Sequence, residues 1–229
     1  MYLNYIDILS NETDSYKIYG RTLIDEKGLN LSWSNSGTSI SFKGQRLEIS
    51  FEDYESLSPV YVKTFSEKGE QRFCLFGKLP KIIMDFDKDD SHTVKFLRIT
   101  EGDIPLVFKG FRIFGKKPTV LPCEKDKKLK IEFVGDSITT GYGVLAPATQ
   151  NAFTTFEQDS TKSYAYMTCE ILDAEIRTEA IGGQGVYRNC GKEEGDQMRA
   201  LFDMVLRRVP GYDHSTWIPS VVVLNCGTN

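Results

Sequence analysis

The chain has 229 residues, 40% of them hydrophobic and 26% charged, which is ordinary for a globular protein and enough for two small domains or one large one. Its 28 basic and 32 acidic side chains give a formal net charge of -4, so no basic surplus exists to neutralise a phosphate backbone, and nucleic acid is not an expected partner. No stretch approaches the ~18 consecutive apolar residues of a membrane-spanning helix, so no membrane partner is expected.

The first residues, Met1 to Tyr16, carry Asp7, Glu12 and Asp14 and no basic side chain. A basic segment followed by an apolar one is absent there, so no leader and a cytoplasmic location are expected. From about Ile18 to about Phe114 the pattern is that of strands. Leu29, Leu31 and Trp33 alternate with polar neighbours, as do Ile40 and Phe42, then Leu47, Ile49 and Phe51. Short apolar runs follow around Val60–Val62, Phe73–Phe76, Lys81–Met84, Val94–Phe96 and Phe111–Phe114. Turn signals separate them at Asn35-Ser36-Gly37, Lys43-Gly44, Glu67-Lys68-Gly69, Asp87 to Asp90 and Glu101-Gly102-Asp103. About eight short, regularly spaced strands predict an antiparallel β-sandwich over residues 1–120, with a jelly roll as its specific form.

After Gly115-Lys116-Lys117-Pro118 the period changes. Lys125, Lys127, Lys128 and Lys130 are interrupted by Asp126 and read as a solvated entry to a strand rather than an anion site. Ile131–Val134 reads as a strand. Ser163 to Leu172 has Tyr164, Met167, Ile171 and Leu172 at helical spacing, with Thr161 or Ser163 as N-cap. Glu175–Ala180 reads as a second strand. Gln197 to Arg207 places Met198, Leu201, Phe202 and Val205 on one helical face, with Pro210 ending the helix. Val221–Leu224 is a β-branched run of the kind buried on both faces. This βαβαβ order predicts a parallel α/β sheet over residues 121–229.

Parallel sheets carry functional residues at the carboxyl ends of their strands. Three such ends occur here: Gly135-Asp136-Ser137, Ile181-Gly182-Gly183-Gln184-Gly185 and Cys226-Gly227-Thr228-Asn229. Neighbouring strands would bring a hydroxyl, a glycine turn with free N–H groups and an amide to one rim. Those are the parts of an acyl-transfer site. Each alone also reads blandly, as a capped turn, a tight βα turn or an ordinary loop; the ordered set of three is what points to chemistry. A phosphate loop fails because no Gly-Lys-Ser/Thr follows Gly135. The Gly-x-Ser-x-Gly elbow fails because position 139 is Thr. The five cysteines, 74, 123, 169, 190 and 226, are odd in number and widely spaced, which argues for reduced thiols and against a disulfide framework or metal site.

Gly135-Asp136-Ser137-Ile138-Thr139, followed by Gly141-Tyr142-Gly143, is similar to the first signature block of SGNH (GDSL-type) hydrolases. Gly183 falls where the second block has its oxyanion glycine, and Gly227-Thr228-Asn229 resembles the start of the third. Ser163-Tyr164-Ala165, Gly185-Val186-Tyr187-Arg188-Asn189, Trp217-x-Pro219 with Val221–Val223, and the earlier Gly20-Arg21 and Ser32-Trp33 sharpen the resemblance toward carbohydrate esterase family 2. The resemblance implies an N-terminal jelly roll joined to an SGNH domain and an esterase acting on acetylated oligo- or polysaccharide without cofactor or metal. It implies Ser137 as nucleophile, and the Ser137 N–H, the Gly183 N–H and the Asn229 side chain as oxyanion donors. It also implies a histidine base in a late Asp-x-x-His block, oriented in many members by a backbone carbonyl.

Only His92 and His214 are present. His92 reads as a surface residue beside an acidic turn, and His214 precedes the third strand, at the rim away from Ser137. These positions, and an apolar third strand at or near a sheet edge, lead to the expectation of a C-terminally truncated chain whose parent continues for about 100 residues. The alternative function is a carbohydrate-binding protein using aromatics such as Trp33, Tyr54 or Tyr61, with a non-catalytic second half. A GDSL esterase acting on lipid or thioester is a third reading, disfavoured by the jelly-roll partner.

Overall fold

The structure, a computed structural model, describes residues 4–102, 104–150, 152–191 and 197–229. Asp103 of the expected turn at 101–103 and the first residues of the N-terminal segment lie outside these. The strands in chain order are β1 Asn4–Leu9, β2 Lys17–Tyr19, β3 Thr22–Asp25, β4 Gly28–Leu31, β5 Gly37–Phe51, β6 Val60–Ser66, β7 Gly69–Leu75, β8 Lys81–Arg98, β9 Leu106–Gly115 and β10 Thr119–Val120. After them come β11 Leu129–Gly135, β12 Ala174–Ala180, β13 Met204–Leu206, β14 Val209–Pro210 and β15 Val221–Asn225. The α-helices are α1 Ser137–Thr140, α2 Tyr164–Ile171 and α3 Met198–Leu201.

β1 to β10 form one antiparallel sheet with the path β3-β4-β9-β5-β8-β6-β7; β1 pairs with β9, and β2 and β10 pair with β5. β5 and β8 are long and pair from Gly37↔Leu97 to Ser50↔Lys81. Because β5 meets β2 and β10 along its first part and β9 along its last, the sheet curls over one core. Alternation fills it: Leu47, Ile49 and Phe51 point inward from β5, and Ile82, Met84 and Phe86 from β8. Edge-to-face rings such as Phe51–Phe96 at 5.5 Å add specific packing.

Two expected turns are absent. Lys43-Gly44 and Asp87 to Asp90 lie inside β5 and β8, opposite one another, where the register shifts between Gly44 and Arg46. A bulge bends both strands there without reversing them. Gly44 is required because a Cβ would stand 2.7 Å from Ile113 Cγ2 and 2.8 Å from the Phe114 carbonyl oxygen.

The second sheet is parallel, in the order β12-β11-β15, with α2 in the crossover from β11 to β12. Its register aligns Gly135 with Ala180 on one side and with Asn225 on the other, so the three strands end flush. Ile131, Phe133, Ile176, Ala165 and Cys169 bury together with Tyr61, Leu97 and Ile99 of the first sheet. Trp33, another residue of the first region, packs with Ile181, Leu201 and Met204.

Two further expectations are corrected. The helix expected over 197–207 stops at Leu201, and Met204–Leu206 turns into a hairpin with Val209–Pro210. Buried Arg21 holds this turn: its guanidinium donates to the Phe202 carbonyl at 2.7 Å, an oxygen that a continuing helix would use, and to the Met204 carbonyl at 2.9 Å. β15 is not buried on both faces. It pairs with β11 alone among the described residues, and Val221, Val222 and Leu224 are exposed.

Candidate active site

β11 delivers Asp136 and Ser137 to the rim. Asp136 is the N-cap of α1, its Oδ1 accepting the Ile138 N–H at 3.0 Å. Ser137 is the first helical residue, half-buried, and its hydroxyl and N–H have no hydrogen-bond partner among the described residues. Thr139 locks the turn through a 3.0 Å hydrogen bond between its hydroxyl and that of Tyr164 in α2.

From β12 the chain runs through Ile181 into Gly182-Gly183. Gly183 sits at φ +77°, left-handed backbone that suits glycine. Its carbonyl accepts the Cys190 N–H at 2.8 Å, while its own N–H has no acceptor among the described residues. From β15 comes Asn229, whose Nδ2 donates to Asp136 Oδ2 at 3.2 Å and to the Gln184 carbonyl at 3.3 Å. Both amide hydrogens are therefore engaged, and donation to a substrate would require one of these two long bonds to be exchanged.

Ser137, Gly183 and Asn229 line one cleft of about 470 Å³. Connecting segments of the first region also line it, with Ser56, Ser58 and Glu101. Glu101 was not among the residues selected from sequence. Its Oε2 accepts the Gly182 N–H at 2.7 Å, and its Oε1 accepts the Thr140 hydroxyl at 2.8 Å and the Gln158 amide at 3.3 Å. Burial raises its carboxyl pKa, partly offset by the Gly182 N–H and the Thr140 hydroxyl. In the sequence Glu101 looks like part of a surface turn, and no local pattern marks it.

Neither histidine lines this cleft. His92 stacks on Phe86 at 4.1 Å, and its ring nitrogens meet the Glu67 carboxylate and the Lys88 carbonyl. It is half-buried rather than a free surface side chain. His214 stacks on Phe202 at 4.5 Å and faces Asp203 at 3.4 Å. The aromatics considered for glycan binding are in the interior: Trp33 and Tyr54 are 1% exposed and Tyr61 9%. Among the described residues, no group of three or more His, Cys, Asp or Glu side chains could hold a metal ion, and no helix is long and apolar enough to cross a membrane.

Residues 18–122 match the family described as carbohydrate esterase 2 N-terminal. The chain is related to carbohydrate esterase family 2. It is 30% identical over 207 residues to the cellulase/esterase CelE of Acetivibrio thermocellus, covering 85% of this chain and 25% of that protein. It is 27% identical over 234 residues to an acetylxylan esterase / glucomannan deacetylase of Cellvibrio japonicus, covering 93% of this chain and 60% of that protein. The chain thus spans a quarter to three fifths of the length of these curated relatives. A family two carbohydrate esterase from Clostridium thermocellum, solved with cellohexaose, superposes with a TM-score of 0.84 at 26% identity, over 93% of this chain and 66% of the other. The family 2 relationship fits the curled antiparallel sheet followed by a parallel one.

Proposed function

We propose that the chain carries the nucleophile and oxyanion side of a serine esterase that removes O-acetyl groups from plant cell-wall polysaccharides or oligosaccharides such as xylan, mannan and glucomannan. The supporting observation is the cleft at the flush ends of β11, β12 and β15, where the Ser137 hydroxyl and the unengaged N–H groups of Ser137 and Gly183 meet. Ser137 Oγ attacks the acetyl carbonyl carbon as its proton passes to the base, and the carbonyl electrons move onto its oxygen. The two N–H groups stabilise that oxyanion, and the Asn229 amide joins by giving up one of its present bonds. Each such donor contributes about 2.7–4 kcal/mol to the barrier reduction. Collapse expels the sugar alkoxide, which takes a proton from the conjugate acid of the base, and water then hydrolyses the acetyl-serine. The base is a histidine, and neither His92 nor His214 is assigned that role.

The finer architecture is also proposed. Residues 1–120 form a jelly-roll domain and residues 121–229 the first part of an SGNH-type layered domain. The curled sheet and the β12-β11-β15 order support that reading.

The full gene product carrying this sequence is expected to release acetate from acetylated xylan or glucomannan, and Ser137→Ala to abolish the release while leaving the fold intact. Retained hydrolysis by that variant would overturn the esterase reading. A second reading is carbohydrate binding without hydrolysis, favoured by the absence of either histidine from the cleft. Calorimetric titration of the chain with cellohexaose, alongside the acetate assay, separates the two: binding with no acetate release supports the second.

A further inference from the structure

The cleft is built by both regions of the molecule, and one of the residues that the first region brings to it is a carboxylate. Glu101 follows β8 and stands beside the nucleophile's turn. A side chain on Gly182 would place its Cβ 3.1 Å from Glu101 Oε1 and 3.5 Å from the Ser137 Cβ, which measures how closely the three are gathered.

The segment bearing Glu101 is fixed from both sides. Buried Arg98 donates to the Thr100 carbonyl at 2.9 Å, the Leu31 carbonyl at 2.6 Å and the Ile104 carbonyl at 3.1 Å. From the other region, Arg207 donates to the Gly102 carbonyl at 3.1 Å. The Glu101 N–H donates to Gln158 Oε1 at 3.0 Å, and the Gln158 amide returns a bond to the Glu101 carboxylate at 3.3 Å. A carboxylate so mounted has little freedom, and its acceptors are directed at two points of the site. One is the Gly182 N–H, in the peptide immediately before the Gly183 donor. The other is the Thr140 hydroxyl on α1, whose single proton is shared between Glu101 Oε1 at 2.8 Å and, at a longer 3.1 Å, the Ser137 carbonyl.

We propose, on the reading of Ser137 as nucleophile, that Glu101 is a positioning residue for the acyl-transfer site, setting the distance between the Gly183 oxyanion donor and Ser137. By accepting the Gly182 N–H it fixes the plane of the preceding peptide and removes that N–H from the substrate's reach, leaving the Gly183 N–H facing the cleft. By holding Thr140 it ties α1, and hence Ser137, to the same two oxygens. The first sheet thereby takes part in catalysis through one side chain, without touching the acetyl group. Misplacing catalytic groups by about 1 Å typically costs on the order of 100-fold in rate.

The test uses the full gene product with acetylated xylan and a soluble acetyl ester. Glu101→Ala is expected to lower kcat by about 100-fold while KM and cellohexaose affinity stay near those of the parent. Glu101→Gln keeps one acceptor oxygen for the Gly182 N–H, and its amide can donate to the Thr140 hydroxyl, whose proton then goes to the Ser137 carbonyl, at the loss only of the 3.3 Å bond from the Gln158 amide; it is expected to recover kcat to within about 10-fold. Thermal unfolding of each variant reports folding, and rates are normalised to folded protein. Wild-type kcat in Glu101→Ala, with Ser137→Ala inactive, overturns the positioning role and leaves the esterase reading standing. A loss that vanishes on normalisation, or that Gln does not recover, also overturns it. Full activity in Ser137→Ala overturns the esterase reading itself, whatever Glu101 does.

Discussion

The two regions of the molecule reach stability by different routes. The first sheet buries its apolar side chains against itself: Leu29, Phe42, Ile49, Phe96 and Phe108 are fully enclosed in a core built only from residues of that region. The parallel sheet has three strands and shares its core, with Ile131, Phe133 and Ile176 packed against Tyr61, Leu97 and Ile99 of the first sheet. Even its charges are shared. Arg21 of the first region pairs with Glu132 at 2.9 Å and Glu179 at 3.2 Å on the parallel strands, and Lys63 pairs with Asp159 at 2.7 Å. A rim that carries candidate chemistry is thus held by a partner whose own core lies elsewhere.

The sharpest break of this comparison is separation. Residues 1–120 expressed alone should unfold cooperatively with a defined near-ultraviolet circular dichroism signal, whereas residues 121–229 alone should show none. A folded 121–229 fragment would remove the asymmetry.

A smaller effect resides in the shared charges. Burial pushes the Glu179 carboxyl up to about 8, with Arg21 pulling it down and Glu132 adding to the rise. The unfolded carboxyl titrates near 4.5. Between these values the folded state holds a proton that the unfolded state has released, so stability falls as pH rises from 4.5 to 8 and levels off above. Glu179→Gln should flatten that slope, by at most about 1.4 kcal/mol per pH unit, in urea unfolding between pH 5 and pH 8. An unchanged slope would locate the pH dependence elsewhere.

The smallest effect is expected at the edge. Leu224 is 68% exposed on β15, so Leu224→Ser should change unfolding free energy by no more than about 0.5 kcal/mol. A loss of several kcal/mol would mean that the β15 edge is covered in solution.

Much of this organisation was readable along the chain because it is local. The β11, β12 and β15 runs, the αβ period between them, and the small residues after each strand are all features of neighbouring positions, and together they brought Ser137, Gly183 and Asn229 to one rim. What escaped is non-local. Gly44 mimics a turn because a bulge and a reversal use the same residue, and only strands pairing on both sides of β5 distinguish them. The periodicity of Met198, Leu201 and Val205 is helical, yet Arg21, far away in sequence, binds the Phe202 carbonyl that the helix would need and the Met204 carbonyl beyond it. Glu101 is separated from Gly182 by 81 positions, and an acidic residue in a turn carries no mark of such a contact.

The flush register of the parallel strands sets a tolerance on the whole arrangement. Gly135 stands level with Ala180 and Asn225, and beyond the strands the Asn229 side chain ties the three ends together through Asp136 and the Gln184 carbonyl. One step of slippage along a neighbouring strand would move its loop by about 3.3 Å and turn alternate residues to the opposite face. That step exceeds the span over which a donor can serve an oxygen. Assembly at this rim is therefore digital: the three loops coincide in one register and in no adjacent one, so sequence drift within the loops can retune the cleft without shifting the frame that aligns it.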